Sequence, residues 1–169
     1  MKHVFQDLPM EMAEMNPFAR FGLDWALLVT EKDGKTNGMT IAWGGMGVMW
    51  DKNVAYVFVR GSRYTKELLD STETFSVNFF GGKEKNALKY FGKVSGRDED
   101  KFANVGFGVD YHKGIAFADE SNFVVVCKTL SCTKIEPDGI LDPTILSQFY
   151  PKGDFHYMYV GEIVEFLAR

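Results

Sequence analysis

DWALLVTEKDGKTNGMTIAW, residues 24–43, decides the fold class. Two strand-forming runs flank Asp33-Gly34. An Asp-Gly pair supplies the positive backbone angles that a tight reversal needs. The stretch therefore predicts two antiparallel strands joined by a hairpin. Further strand patterns follow on both sides of short helical ones. VAYVFV (54–59), TFSVNFF (74–80), FVVVCKTLSCTKIE (123–136) and YMYVGEIVEFL (157–167) read as strands. TKELLDS (65–71), KEKNALKYFGK (83–93) and RDEDKFANVG (97–106) read as helices, the last with Asp98 as its expected N-cap. EPDGILDPTILSQFYPKGDF (136–155) holds three of the five prolines and reads as a long loop. Strands spaced by turns, with helices inserted, predict a mainly β protein with an antiparallel barrel rather than βαβ units.

The 169 residues suit a single domain spanning 1–169 with a real core. Hydrophobic residues make up 46% and aromatic residues 15%, enough for a packed interior or a flat ligand's pocket. A net charge of −4 without a long basic tract argues against a nucleic-acid binder. No apolar run is long enough to span a membrane, and the acidic N-terminal segment is unlike a signal peptide. The expectation is a cytoplasmic protein. Cys127 and Cys132 do not form a CxxC pair and read as ordinary reduced thiols.

VRGSRYTKELL, residues 59–69, poses a charge problem. A helix start carries partial positive charge, so arginines at 60 and 63 are unfavourable there without an anion. Thr65 or Ser62 is the candidate cap, and neither has the Glu or Gln three residues on that completes a capping box. Two readings stand: a phosphate held by guanidiniums and helix amides, or arginines paired with surface carboxylates. KTNGMTIAWGGMGVMW (35–50) has four glycines but no dinucleotide-binding fingerprint. Asn37 and Thr40 with Met39, Ile41 and Trp43 suit an aromatic heterocycle; the same residues also suit a Gly-rich core strand. KVSGRDEDKF (93–102) places Ser95 and Lys101 around a second basic helix start, or is a solvated charge run. His3, His112 and His156 lack metal-ligand spacing, so no metal site is predicted. No nucleophile elbow or singled-out carboxylate pair appears, so the chain's own side chains supply no catalytic residue. Chemistry, if any, is carried by a cofactor.

TNGMTIAWG (36–44), VRGSRYTKEL (59–68), FSVNFF (75–80), SGRDEDKF (95–102) and PKGDFHYMYVGEI (151–163) together resemble the flavin reductase-like family of FMN-binding split barrels, which includes flavoredoxin. The resemblance implies a split β-barrel with Greek-key features, a homodimer, and bound FMN. It implies that Asn37, Met39, Thr40, Ile41, Ala42 and Trp43 line the isoalloxazine. It assigns Arg60, Ser62, Arg63, Tyr64 and Thr65 to the phosphate, Ser95 and Lys101 to a second cofactor-contacting segment, and His156 to the flavin's vicinity. It implies an oxidoreductase that accepts hydride from NADH or NADPH and reduces flavin, or passes electrons to an acceptor such as a redox protein. The alternatives are a non-enzymatic FMN electron carrier and an FMN storage or sensing module. Some members place a C-terminal aromatic near the flavin, and Phe166 is the residue here that could do so.

Overall fold

Asp33 and Gly34 both adopt positive φ, 51° and 76°. They close the expected hairpin between β2 (Ala26–Lys32) and β3 (Lys35–Ile41), in register from Lys32 opposite Lys35 to Ala26 opposite Ile41. The computed structural model describes residues 2–169. The remaining strands are β1 (Gln6–Leu8), β4 (Gly44–Met49), β5 (Lys52–Arg60), β6 (Thr74–Phe79), β7 (Val109–His112), β8 (Ile115–Ala118), β9 (Phe123–Lys134) and β10 (His156–Ala168). The α-helices are α1 (Tyr64–Ser71), α2 (Lys85–Lys93), α3 (Lys101–Val105) and α4 (Pro143–Phe149).

An antiparallel sheet runs β3-β2-β6-β9-β10-β5-β4, with β1 added beside β10. Its end strands, β3 and β4, are not paired with each other, so the barrel is split. β10 organises the sheet. It pairs with β5 over residues 156–162, with β9 along most of its length, and with β1 at its end. Register shifts at Val160/Gly161 and Ile163/Glu165 bend it, as extra residues in one strand do. Gly161 is needed at the first bend: a Cβ there would lie 2.6 Å from Phe75 Cζ and 2.9 Å from Cys127 Cβ.

β2 is buried on both faces, which explains its unbroken apolar run. Leu28 faces the barrel interior with Val57, Phe75, Val77 and Tyr159. Leu27 and Val29 face outward onto Leu88 and Phe91 of α2, Phe102 of α3 and Ala116 of β8. α2 therefore lies flat over the end of the sheet that carries β3.

Two segments differ from the sequence reading. α3 begins at Lys101, and its N-cap is Asp100, whose carboxylate accepts the Ala103 N–H at 3.1 Å; Asp98 lies in the turn before it. The segment 136–155 is not a loop throughout: it holds a 3₁₀ turn at Pro137–Gly139 and then α4, capped by Asp142 with Pro143 in the first turn. The glycine-rich run after Trp43 is a regular strand, β4. Its Gly45 sits opposite Tyr56, and a Cβ would come within 2.3 Å of the Tyr56 hydroxyl. β7 and β8 form a further hairpin about Lys113-Gly114, again at positive φ. No helix among the described residues is long and apolar enough to cross a membrane.

Candidate functional site

The split in the barrel gathers the site. The end of β3 supplies Asn37, Met39 and Ile41; the end of β5 supplies Arg60; the start of β10 supplies His156, directly opposite Arg60 in the ladder. Two adjoining cavities open there. The first, about 360 Å³, is lined by Asn37, Met39, Arg60, Ser62, Arg63, Tyr64, Thr65, Ser95 and Lys101, together with Lys93, Val94, Gly96, Arg97 and Asp154. The second, about 150 Å³, is lined by Met39, Thr40, Ile41, Ala42, Trp43, Arg60, Arg63 and His156. Every residue assigned to the cofactor from the sequence, Phe166 apart, lies on one wall or the other.

The first cavity is built around a helix start that no side chain caps. Arg63 occupies the N-cap position of α1 with extended backbone and accepts no side-chain role there. Neither expected cap is one. Thr65 is buried and its hydroxyl accepts from Asn37 Nδ2 at 2.9 Å, while the Ser62 hydroxyl donates to Asp154 at 2.6 Å. Among the described residues no acceptor lies within hydrogen-bond range of the Tyr64 and Thr65 amides, the first two of the helix. These orphan donors carry the positive end of the helix dipole.

Two cations stand beside them. Arg63 donates to the Gly92 carbonyl at 3.0 Å, which ties it to the end of α2. Lys101 is only 5% exposed and donates to the carbonyls of Phe91 at 3.0 Å and Val94 at 3.3 Å. Burial, and then the charge of Arg63, pull the Lys101 ammonium down to about 8. Its hydrogen bonds go to carbonyls alone, and its charge is offset only in part by nearby Glu99, whose carboxylate also accepts from Tyr90 and Asn104. The adjacent acid, Asp154, spends both oxygens on the amide and hydroxyl of Ser62. Gly96 brings the Ser95–Gly96 backbone against this wall: a Cβ on it would lie 2.1 Å from Asn37 Oδ1 and 3.2 Å from Tyr64 Cδ1. Tyr64 is flanked by Lys35, 4.7 Å from its centroid, and Arg97, 5.1 Å away.

The second cavity mixes apolar side chains, Met39, Ile41, Ala42 and Trp43, with Thr40, Arg60, Arg63 and His156. Trp43 is 40% exposed; its ring meets Phe149 edge-on at 5.3 Å and His156 at 4.7 Å. Thr40 borders it, but its hydroxyl donates to the Leu88 carbonyl of α2. Arg60 anchors the neighbouring segment, donating to the carbonyls of Asp154 at 2.8 Å and Phe149 at 3.0 Å, with its guanidinium over the Tyr150 ring. His156 is buried, and burial, followed by the charge of Arg60, lowers it to about 4. Its imidazole is neutral at neutral pH.

Sequence reasoning missed Gly96, Asp154 and the aromatic pair Phe149 and Tyr150. The pair sits in the stretch read as a loop, and the Asp142-Pro143 helix start was the available signal. Phe166 is not at the site: it is core, stacked on Phe123 at 5.3 Å. Cys127 is buried, with its thiol pushed up by burial, and Cys132 is free on the surface. A distant trio, Asp7, His112 and Glu165, gathers on the opposite part of β10, where Lys113 donates to Glu165 at 2.6 Å.

Solved structures share this fold. A flavoredoxin from Methanosarcina acetivorans is 24% identical over 86% of this chain and 68% of its own, with a TM-score of 0.66. An FMN-binding domain of a flavin reductases-like enzyme from Shewanella baltica OS155 is 15% identical over 99% of this chain and 78% of its own, with a TM-score of 0.71. An FMN-binding protein from Thermus thermophilus, solved with bound p-hydroxybenzaldehyde, is 19% identical over 91% of this chain and 78% of its own, with a TM-score of 0.66. Likeness at these identities is likeness of fold. Among curated proteins none matches the chain. The sequence itself carries the stronger link: residues 18–169, from the π-helix Phe18–Asp24 before β2 to the last residue, match the flavin reductase like domain, and the chain belongs to that family.

Proposed function

We propose that the chain binds FMN across the two cavities and uses it as a flavin reductase, taking hydride from NADH or NADPH. The observation that carries this reading is the uncapped start of α1, with Arg63 and the buried Lys101 beside it, adjoining a second cavity walled by Met39, Ile41, Ala42 and Trp43. A phosphate answers the unmet amides and the two cations together, through charge-assisted bonds. A planar ring fits between the end of β3 and the Trp43 side. Ser62, Tyr64, Thr65 and Ser95 shape the phosphate end around Arg60 and Arg63. FMN supplies the hydride and electron chemistry when bound, and the chain supplies binding, orientation and exclusion of water.

A second reading keeps FMN as a resident group that shuttles electrons between proteins. The anchoring of residues 149–154 by Arg60 beside the site favours it, because a wall held in place slows exchange of a bound ligand. The test is an absorbance titration with FMN, followed by anaerobic NADH or NADPH. Binding with bleaching of the flavin bands supports the reductase. Binding without bleaching supports the carrier. No binding overturns both.

A homodimer belongs to the same proposal. Val48 and Trp50 are exposed at 74% and 56% on and just beyond edge strand β4, an apolar surface that a second copy would cover.

A further inference from the structure

β1, β7 and β10 meet at the end of β10 remote from His156, and each brings one metal-ligating side chain to the meeting. Asp7 of β1 lies opposite Leu167 of β10, so it shares a face with Glu165, two residues earlier on that strand. His112 ends β7, just before the tight turn at Lys113-Gly114. One nitrogen and two carboxylate oxygens from these side chains all lie within 4.8 Å of one another. Positions 7, 112 and 165 are far apart in the chain, so spacing along the sequence does not reveal them as a set.

Two observations distinguish this trio from an ordinary surface charge cluster. The first is that the His112 Nε2 atom is buried and has no hydrogen-bond partner among the described residues. That is a costly state for a ring nitrogen. The second is spacing. Nε2 stands 3.6 Å from Glu165 Oε2 and 3.9 Å from Asp7 Oδ1. Both separations are too long for an N–H···O bond, which closes at about 2.7–3.2 Å. They suit atoms bonded to one ion, because metal bonds of about 2.0–2.2 Å set tetrahedral ligands about 3.3 Å apart. A small inward shift of each side chain completes the triangle.

The donor set selects the ion. One imidazole with two carboxylates suits zinc, whereas calcium and magnesium favour oxygen alone. Asp7 is the most exposed of the three, so water reaches a fourth position from its side. Lys113 donates to Glu165 Oε2 at 2.6 Å, and its side chain is largely exposed. Its ammonium is the cation that an incoming ion displaces, and its long solvated stem is free to swing aside.

We propose that Asp7, His112 and Glu165 form a zinc site, guarded by Lys113, that clamps the N-terminal strand β1 and the β7–β8 hairpin to the end of β10. β1 is only three residues long, so it gains most from such a clamp. The site is independent of the FMN reading.

The test uses the full chain without flavin, stripped of metal by a chelator that is then removed. Zinc chloride titrated calorimetrically at neutral pH is expected to bind once per chain and to raise the melting temperature with concentration, as mass action requires. Asp7→Asn, at the exposed corner, should keep the circular dichroism of the wild type and weaken binding by about tenfold or more, since one of three ligands loses its charge. His112→Ala should do the same. Lys113→Met should tighten binding about twofold to fivefold, the worth of an exposed ion pair. His3→Ala should leave it unchanged, because His3 is engaged with Asp119. No zinc binding by the wild type, binding that survives both Asp7→Asn and His112→Ala, or magnesium bound as tightly as zinc overturns the site. Zinc binding that leaves the melting temperature flat overturns the clamp. Unchanged or weaker binding in Lys113→Met overturns the guarding role of the lysine.

Discussion

At the residue scale, the site is written in its misplaced charges. Arg60 and Arg63 at a helix start were legible from the sequence, because a cation at the positive end of a dipole demands an anion. What the sequence could not separate was their duties. Arg60 spends its terminal nitrogens on the carbonyls of Asp154 and Phe149, while Arg63 stays beside the unmet amides of α1. Arg63→Ala should therefore weaken FMN binding by about 1.5–3 kcal/mol, the range of a charged hydrogen bond. Unchanged affinity by titration would remove the phosphate from this end of the cavity. Lys101 gives a second prediction. Burial and Arg63 hold it at about 8 without a ligand. A bound phosphate favours its charged form and raises it, so the complex holds more protons than the free protein above that pH. Binding then takes up a proton, and affinity must fall as pH rises through 8 and beyond, by at most about tenfold per unit. Titrations between pH 7 and 9.5 should show this slope, and Lys101→Met should flatten it. A slope that survives the substitution would assign the effect to another group.

At the element scale, legibility followed how local the governing force was. The β2–β3 hairpin was readable because Asp33-Gly34 dictates its own turn. β4 was readable only as one of two alternatives, because its glycines weaken a strand unless something needs the room. Tyr56 needs it at Gly45, and that cross-strand neighbour is invisible before the register is known. α4 was hidden by its prolines, although Asp142-Pro143 is a good helix start. The cap of α3 fell two residues late because three acids precede it, and only Asp100 has its carboxylate within reach of the Ala103 amide. The loop at Gly96 is the element on which the first cavity depends. It packs so close to β3 that any side chain would collide with Asn37, which in turn holds Thr65 of α1. Gly96→Ala should cost about 1–3 kcal/mol of stability, as overpacking does, and should weaken FMN binding by displacing the Asn37–Thr65 contact. A variant with wild-type melting temperature and FMN affinity would mean the loop yields freely and is not part of the cradle.

At the scale of the whole molecule, the fold leaves two edges that serve different ends. β3 ends at the two cavities and is covered by α2, whereas β4 runs out to Val48, Met49 and Trp50, which stay exposed among the described residues. Alternation and turns gave the antiparallel class from sequence. The order of strands, and with it the meeting of Arg60 and His156 across the ladder, came from long-range pairing through β10 that no local pattern encodes. An edge strand ending in exposed apolar side chains is normally shielded. In a two-fold assembly the same patch meets itself, so a charge placed there is duplicated across the interface. Sedimentation should accordingly find a mass twice the 19.1 kDa chain, and Val48→Glu should return it to one chain with its circular dichroism unchanged. Trp43, on the turn into β4, connects this edge to the second cavity, so the two properties are linked. If the partner completes the cavity, the monomeric variant should lose FMN affinity together with the dimer. A dimer that dissociates without any change in FMN affinity would mean that each chain holds its cofactor alone. A wild-type chain that sediments as a monomer would leave the β4 edge uncovered and end the dimer proposal.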